Sequence, residues 1–121
     1  MTEKSFIAGM VQLRSGQTVA ANVTDASALI REAAMKGAHY VQTPEMTSLL
    51  VRDRERLMNR VASEDHDAAL TAFRALAREL QIFLHIGSLA VRFADERERV
   101  ANRGFLIAPD GGIIARYDKI H

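Results

Sequence analysis

Apolar residues recur along the chain in two rhythms, and the changes of rhythm predict the order strand, helix, strand, helices, then three strands. Phe6-Ile7-Ala8-Gly9-Met10-Val11-Gln12-Leu13 is apolar on both faces, the pattern of a strand covered on two sides. Asn22 and Asp25 then have the spacing of a capping pair. Val23, Ala26, Ile30, Ala33 and Ala34 follow on one helical face until Gly37 stops the helix. His39 to Thr43 is a short β-prone run. Pro44 ends it, because proline cannot donate to a ladder, and so delivers Glu45 into the loop beyond. Strand, helix, strand in this order implies a right-handed parallel crossover.

From Thr47 to Arg60 the pattern is a polar helix with Leu49, Leu50, Leu57 and Met58 as its apolar content. Asp65 or Asp67 caps a further helix, on which Leu70, Phe73, Ala77 and Leu80 fall on one face, suited to covering a sheet. Ile82 to Val91 reads as a buried strand, and the charged run Arg92 to Arg99 as a solvated loop. Val100 to Ala108 and Ile113 to Lys119 form two more strands, joined by the turn residues Pro109-Asp110-Gly111-Gly112 as a hairpin. The expected architecture is α/β, a mixed sheet with helices on one face and the other face left for something else to cover.

Composition narrows the function classes. The 121 residues are 48% hydrophobic and 26% charged, in keeping with one ordinary soluble domain, and no repeat, low-complexity tract or linker marks a boundary. A formal charge of +1 with both signs interspersed gives no basic field for a phosphate backbone, so nucleic acid is not an expected partner. Apolar runs are too short to span a bilayer and the start lacks the character of a signal peptide. The expectation is therefore a cytoplasmic protein with no membrane partner. With no cysteine there are no disulfides or thiolate metal sites, and the sequon Asn22-Val23-Thr24 reads as chance.

The segment Ala33-Ala34-Met35-Lys36-Gly37-Ala38-His39-Tyr40-Val41-Gln42-Thr43-Pro44-Glu45, followed by Pro109-Asp110-Gly111-Gly112-Ile113-Ile114-Ala115-Arg116-Tyr117-Asp118-Lys119, resembles the nitrilase superfamily of carbon-nitrogen hydrolases. The resemblance implies the first half of a four-layer α-β-β-α sandwich, with residues 1–121 as the N-terminal portion of a single domain ending before the catalytic cysteine. It further implies a hydrolase for carbon-nitrogen bonds of small non-peptide amides that works through a glutamate, a lysine and a cysteine. The cysteine has no counterpart here. Two points depart from the pattern: Asp118, where many relatives carry a second basic residue, and Met46-Thr47-Ser48, where others often have an aromatic residue or glycine.

By that resemblance Glu45 is the general base and Lys119 the donor to the oxyanion, and no cofactor is needed. The chemistry suits the residue types. Amide hydrolysis through an acyl-enzyme needs a nucleophile, a base and a positive donor where the oxyanion forms. A glutamate partly desolvated at the carboxyl end of a strand is raised toward the range of a working base. Taken singly, each residue has a plainer reading. Glu45 suits a solvated loop or a helix cap, and Lys119 an edge-strand charge that discourages sheet pairing. His121 follows the motif lysine but receives no catalytic role.

His39, His66 and His85 are scattered without ligand spacing, so no metal is expected. Arg52, Arg54 and Arg56 interleave with Asp53 and Glu55 as on an exposed helix face, and the five methionines read as core filler. Asp110-Gly111-Gly112 is too short for a phosphate loop. Asn102, Arg103 and His85 are candidates for pocket lining, or equally polar strand residues with local partners. The expected partners are a small-molecule amide substrate in the intact enzyme, and a homo-oligomer or complementary C-terminal half. The alternative reading is an inactive remnant or interaction module that pairs with another chain through the uncovered sheet face.

Overall fold

The computed structural model describes residues 7–10, 19–44, 67–92 and 100–118. Their order is β1 (Ala8–Met10), α1 (Val19–Met35), β2 (Tyr40–Thr43), α2 (Ala68–Leu80), β3 (Phe83–Arg92), β4 (Val100–Ile107) and β5 (Ile113–Asp118). The polar helix expected over 47–60 and the loop over 93–99 lie outside the described residues, as does half of the first expected strand.

The strands form one mixed sheet in the order β1-β2-β3-β4-β5. β1, β2 and β3 run parallel, while β4 is antiparallel to both β3 and β5. Both helices lie on one face, as the pattern predicts. Ala26 and Ile30 of α1 and Leu70, Phe73, Leu76 and Ala77 of α2 share a buried cluster with Val41, Leu84, Ile86, Phe105 and Ile107 of the sheet. At about 1.5–3 kcal/mol for each large apolar side chain buried, this single layer of contact is what holds helices to sheet.

Sequence signals and structure agree at most element ends. Gly37, at φ 97°, ends α1 in the left-handed region that glycine enters without strain. Asp67, rather than Asp65, caps α2, its Oδ1 accepting from the Leu70 N–H at 2.8 Å. Gln81 closes that helix in the same left-handed region, its N–H donating to the Ala77 carbonyl and its side-chain amide to the Arg78 and Pro109 carbonyls. The hairpin turn is held by the Gly112 N–H on Asp110 Oδ1 at 2.7 Å, and Arg74 Nε ties it to α2 through the Gly111 carbonyl at 2.8 Å.

Three expectations are corrected. Asn22 does not cap a helix: α1 already includes Val19, and Asn22 sits inside it, buried. A polar side chain three residues into a helix has lost the free N–H groups that a cap serves. Arg92 belongs to β3 rather than to the following loop, because β3 continues its pairing with β4 as far as Val100. The described part of the first strand, β1, lies at the end of the strand order with Met10 69% exposed, so it is not covered on both faces among the described residues.

Burial raises the Asp67 carboxyl above its ordinary range, against the lowering effect of the Leu70 and Ala69 N–H groups. A raised carboxyl favours the protonated fold. Its stabilising contribution is complete below the ordinary carboxylate pKa of about 3.9 and is lost as the pH climbs through the raised value. Asp67→Asn, which keeps the cap acceptor, is expected to gain on the wild type in chemical melts as the pH rises across that window. Asp67→Ala is expected to lose about 1 kcal/mol through the missing cap. Parallel pH profiles for wild type and the Asn variant would contradict the assignment.

Candidate functional site

The strand directions decide which element ends meet. β2 is parallel to β3, and two antiparallel pairings return β5 to the same direction, so β2 and β5 finish at one edge of the sheet. Thr43, Ile86, Phe105 and Arg116 stand in one row across the four strands. In the sequence, Glu45 comes two residues after that row on β2, and Lys119 comes three after it on β5. Both residues, and His121, lie outside the described residues, but the residues that deliver them are described.

On the β2 side, Thr43 is buried and its Oγ1 accepts from the Gly87 N–H at 3.3 Å. The strand end lies directly on Gly87. A methyl there would stand 2.5 Å from the Thr43 carbonyl oxygen and 2.6 and 2.7 Å from the carbonyl carbon and oxygen of Pro44. Only glycine admits a backbone that close. Gly87 also opens an irregularity in the ladder. Ile86 pairs with Phe105 and Leu89 with Arg103, so Gly87 and Ser88 together oppose the single residue Gly104. This is a β-bulge, a device that bends a strand and re-aims what lies beside it. A methyl on Gly104 would lie 3.1 Å from the Gly87 carbonyl oxygen and 3.4 Å from the Tyr117 ring.

On the β5 side, Asp118 forms a two-point pair with Arg103 of β4, Nε to Oδ1 at 2.6 Å and Nη2 to Oδ2 at 3.0 Å. The Arg103 guanidinium holds the Asp118 carboxyl below its ordinary range. The acid at position 118, a departure from the resemblance's usual basic residue, therefore has a local partner that ties the last described residue of β5 to its neighbour. Arg103 is accounted for by this pair rather than by a pocket.

His85 does line a pocket. A space of about 260 Å³ is bounded by Tyr40, His85, Gly104, Phe105, Leu106, Ala115, Arg116 and Tyr117, and Asn102 is not among them. Tyr40 and His85 meet there through the phenol oxygen and Nδ1 at 2.6 Å, and desolvation raises the Tyr40 phenol. Sequence reasoning did not single out Tyr40. Its diagonal placement against His85 depends on the β2–β3 register, in which Tyr40 pairs with Phe83 and Gln42 with His85. His39 serves the backbone, its Nδ1 accepting from the Ile7 N–H at 3.2 Å. No helix among the described residues is long and apolar enough to cross a membrane.

Comparison with known proteins gives one family. The carbon-nitrogen hydrolase family model matches residues 7–121. The chain is 30% identical over 122 residues to deaminated glutathione amidase of Synechocystis sp. (strain PCC 6803 / GT-S), covering 98% of this chain and 43% of that protein. It is 29% identical over 117 residues to omega-amidase NIT2 of Homo sapiens, covering 97% and 41%. Among solved structures, the NitFhit protein of C. elegans superposes with a TM-score of 0.87 at 23% identity, over 96% of this chain and 28% of that one. The chain thus spans less than half the length of the curated relatives it matches.

The Arg103–Asp118 pair gives a prediction with a defined sign. A depressed carboxylate contributes stability that is present above the ordinary carboxylate pKa and is lost as the pH falls through the depressed value. Asp118→Asn is expected to raise amide exchange at the end of β5 at neutral pH, and to match the wild type once acid has discharged Asp118. The pair is partly exposed, so the effect on global stability should stay under about 1 kcal/mol. Equal exchange at neutral pH would show that the pair does not hold the strand end.

Proposed function

The chain belongs to the carbon-nitrogen hydrolase family, and on that premise we propose that residues 1–121 are the N-terminal portion of one hydrolase domain, acting on small non-peptide amides. Glu45 is the base and Lys119 the oxyanion donor of this domain. The observation that carries the reading is the shared direction of β2 and β5, which ends both residue-bearing strands at one sheet edge. The amidase names of the matched relatives support the reaction class.

In this mechanism Glu45 takes the proton of a cysteine thiol, and the thiolate bonds to the amide carbon. Lys119 stabilises the oxyanion without losing its own proton. The carbon-nitrogen bond breaks, the nitrogen leaves with the proton returned from Glu45, and a thioester remains. Glu45 then takes a proton from water, whose oxygen attacks the thioester; the carbon-sulfur bond breaks, the acid is released, and Glu45 returns the proton to the departing thiolate. The reaction consumes one amide and one water and needs no cofactor. The cysteine is not in the 121 residues, so it comes from sequence or a chain beyond them. We place the protein in the cytoplasm and its substrate among small molecules.

Residues 1–121 alone are expected to show no turnover on a panel of small amides, because removing one member of a catalytic set costs about four to six powers of ten in rate. A rate insensitive to thiol reagents would demand another nucleophile. In the complete protein, joined to or complexed with the cysteine-bearing portion, Glu45→Gln and Lys119→Ala should each bring kcat close to that of a variant lacking the cysteine. Wild-type kcat in either variant would remove that residue from the mechanism.

A second observation favours a pairing role alongside this one. The face of the sheet away from the helices carries Met10, Phe83 and Tyr117, which are 69%, 42% and 65% exposed, around the half-buried Tyr40, Gln42 and His85. An apolar sheet face of this kind is sticky in water. The 121-residue chain alone is expected to self-associate in light scattering and to become a defined complex when the cysteine-bearing portion is added. A cooperative monomer would count against both the missing portion and the pairing role.

A further inference from the structure

We infer that Gly87 is a positioning residue for the base: it seats the Thr43–Pro44 backbone and so sets the direction in which the chain leaves β2. The inference rests on the reading of Glu45 as that base. Straight continuation of β2 and β5 would leave their ends three strand spacings apart, about 14 Å. That is too far for a carboxylate and an ammonium to attend one carbonyl group without help from their backbones.

The contacts at Gly87 show where that help originates. A methyl on Gly87 would stand 2.6–2.7 Å from the Pro44 carbonyl, so the last described residue after β2 is packed onto β3, the strand next to β2 on the side of β5. Three features act together there. Gly87 has no side chain to block this close packing, and its N–H holds Thr43 Oγ1. The bulge of Gly87 and Ser88 against Gly104 releases Gly87 from regular pairing with β4. Pro44 has no N–H to call the chain back into the ladder. The sequence reading assigned Gly87 only to a buried strand, since a single glycine carries no pattern.

The test uses the complete protein and four variants. Gly87→Ala is expected to lower kcat about 100-fold, the loss typical of a misplacement near 1 Å, with KM little changed and the acidic limb of the kcat/KM profile displaced. Thr43→Val keeps the side-chain shape but removes the acceptor from the Gly87 N–H. It should lose kcat in the same direction, and Thr43→Ser should restore it. This pair decides the matter if Gly87→Ala fails to fold. Wild-type kcat and pH profile in Gly87→Ala, or in Thr43→Val where the alanine variant does not fold, would overturn the inference. Glu45→Gln is measured alongside. If it leaves kcat unchanged, the base assignment has failed, and seating is then judged from the Glu45 backbone resonances. A shift of those resonances in Gly87→Ala or Thr43→Val supports seating by Gly87, and wild-type resonances in both overturn it.

Discussion

Everything described in this molecule depends on burying two helical faces against one side of a five-stranded sheet. Ile30 from α1 and Phe73 from α2 enter the same cluster as Leu84, Ile86 and Phe105, so both helices and the central strands share one core. Helix caps and hairpin ties are small beside this layer, but they direct it. Asp67 fixes where α2 begins, and Arg74 pins the hairpin turn to its flank. The Arg31–Glu79 pair joins the two helices on their exposed side, where an ion pair of this kind contributes little.

That packing leaves the strand ends as the place where chemistry can be arranged. Parallel alignment of β2 with β3, then two reversals, returns β5 to the direction of β2, so residues far apart in sequence finish at a common edge. The edge is not a simple continuation of the ladder. At Gly87 the Thr43–Pro44 backbone packs closely onto β3, and at Asp118 the β5 end is held by Arg103.

The opposite sheet face has a different character. Its exposed Met10, Phe83 and Tyr117 surround a polar contact between Tyr40 and His85, so it is neither a solvated surface nor a finished core. Such a face is consistent with a chain that spans less than half the length of its relatives.

Periodicity in the sequence determined the order of the described elements, the face of α2 that is buried and the hairpin, because each of these depends on residues within a few positions of one another. The motif residues determined the family in the same local way. Local pattern misled where two readings share a signature. Asn22 looks like a cap but lies within α1, because a cap is defined by the turn before it. Arg92 looks like a loop residue but remains paired in β3. Tertiary structure alone decided what depends on register between distant strands: the Tyr40–His85 contact, the Arg103–Asp118 pair and the seating of Pro44 on Gly87. The physical reason is that pairing partners across a sheet are chosen by the packing of the whole layer, and no segment of the chain carries that information by itself.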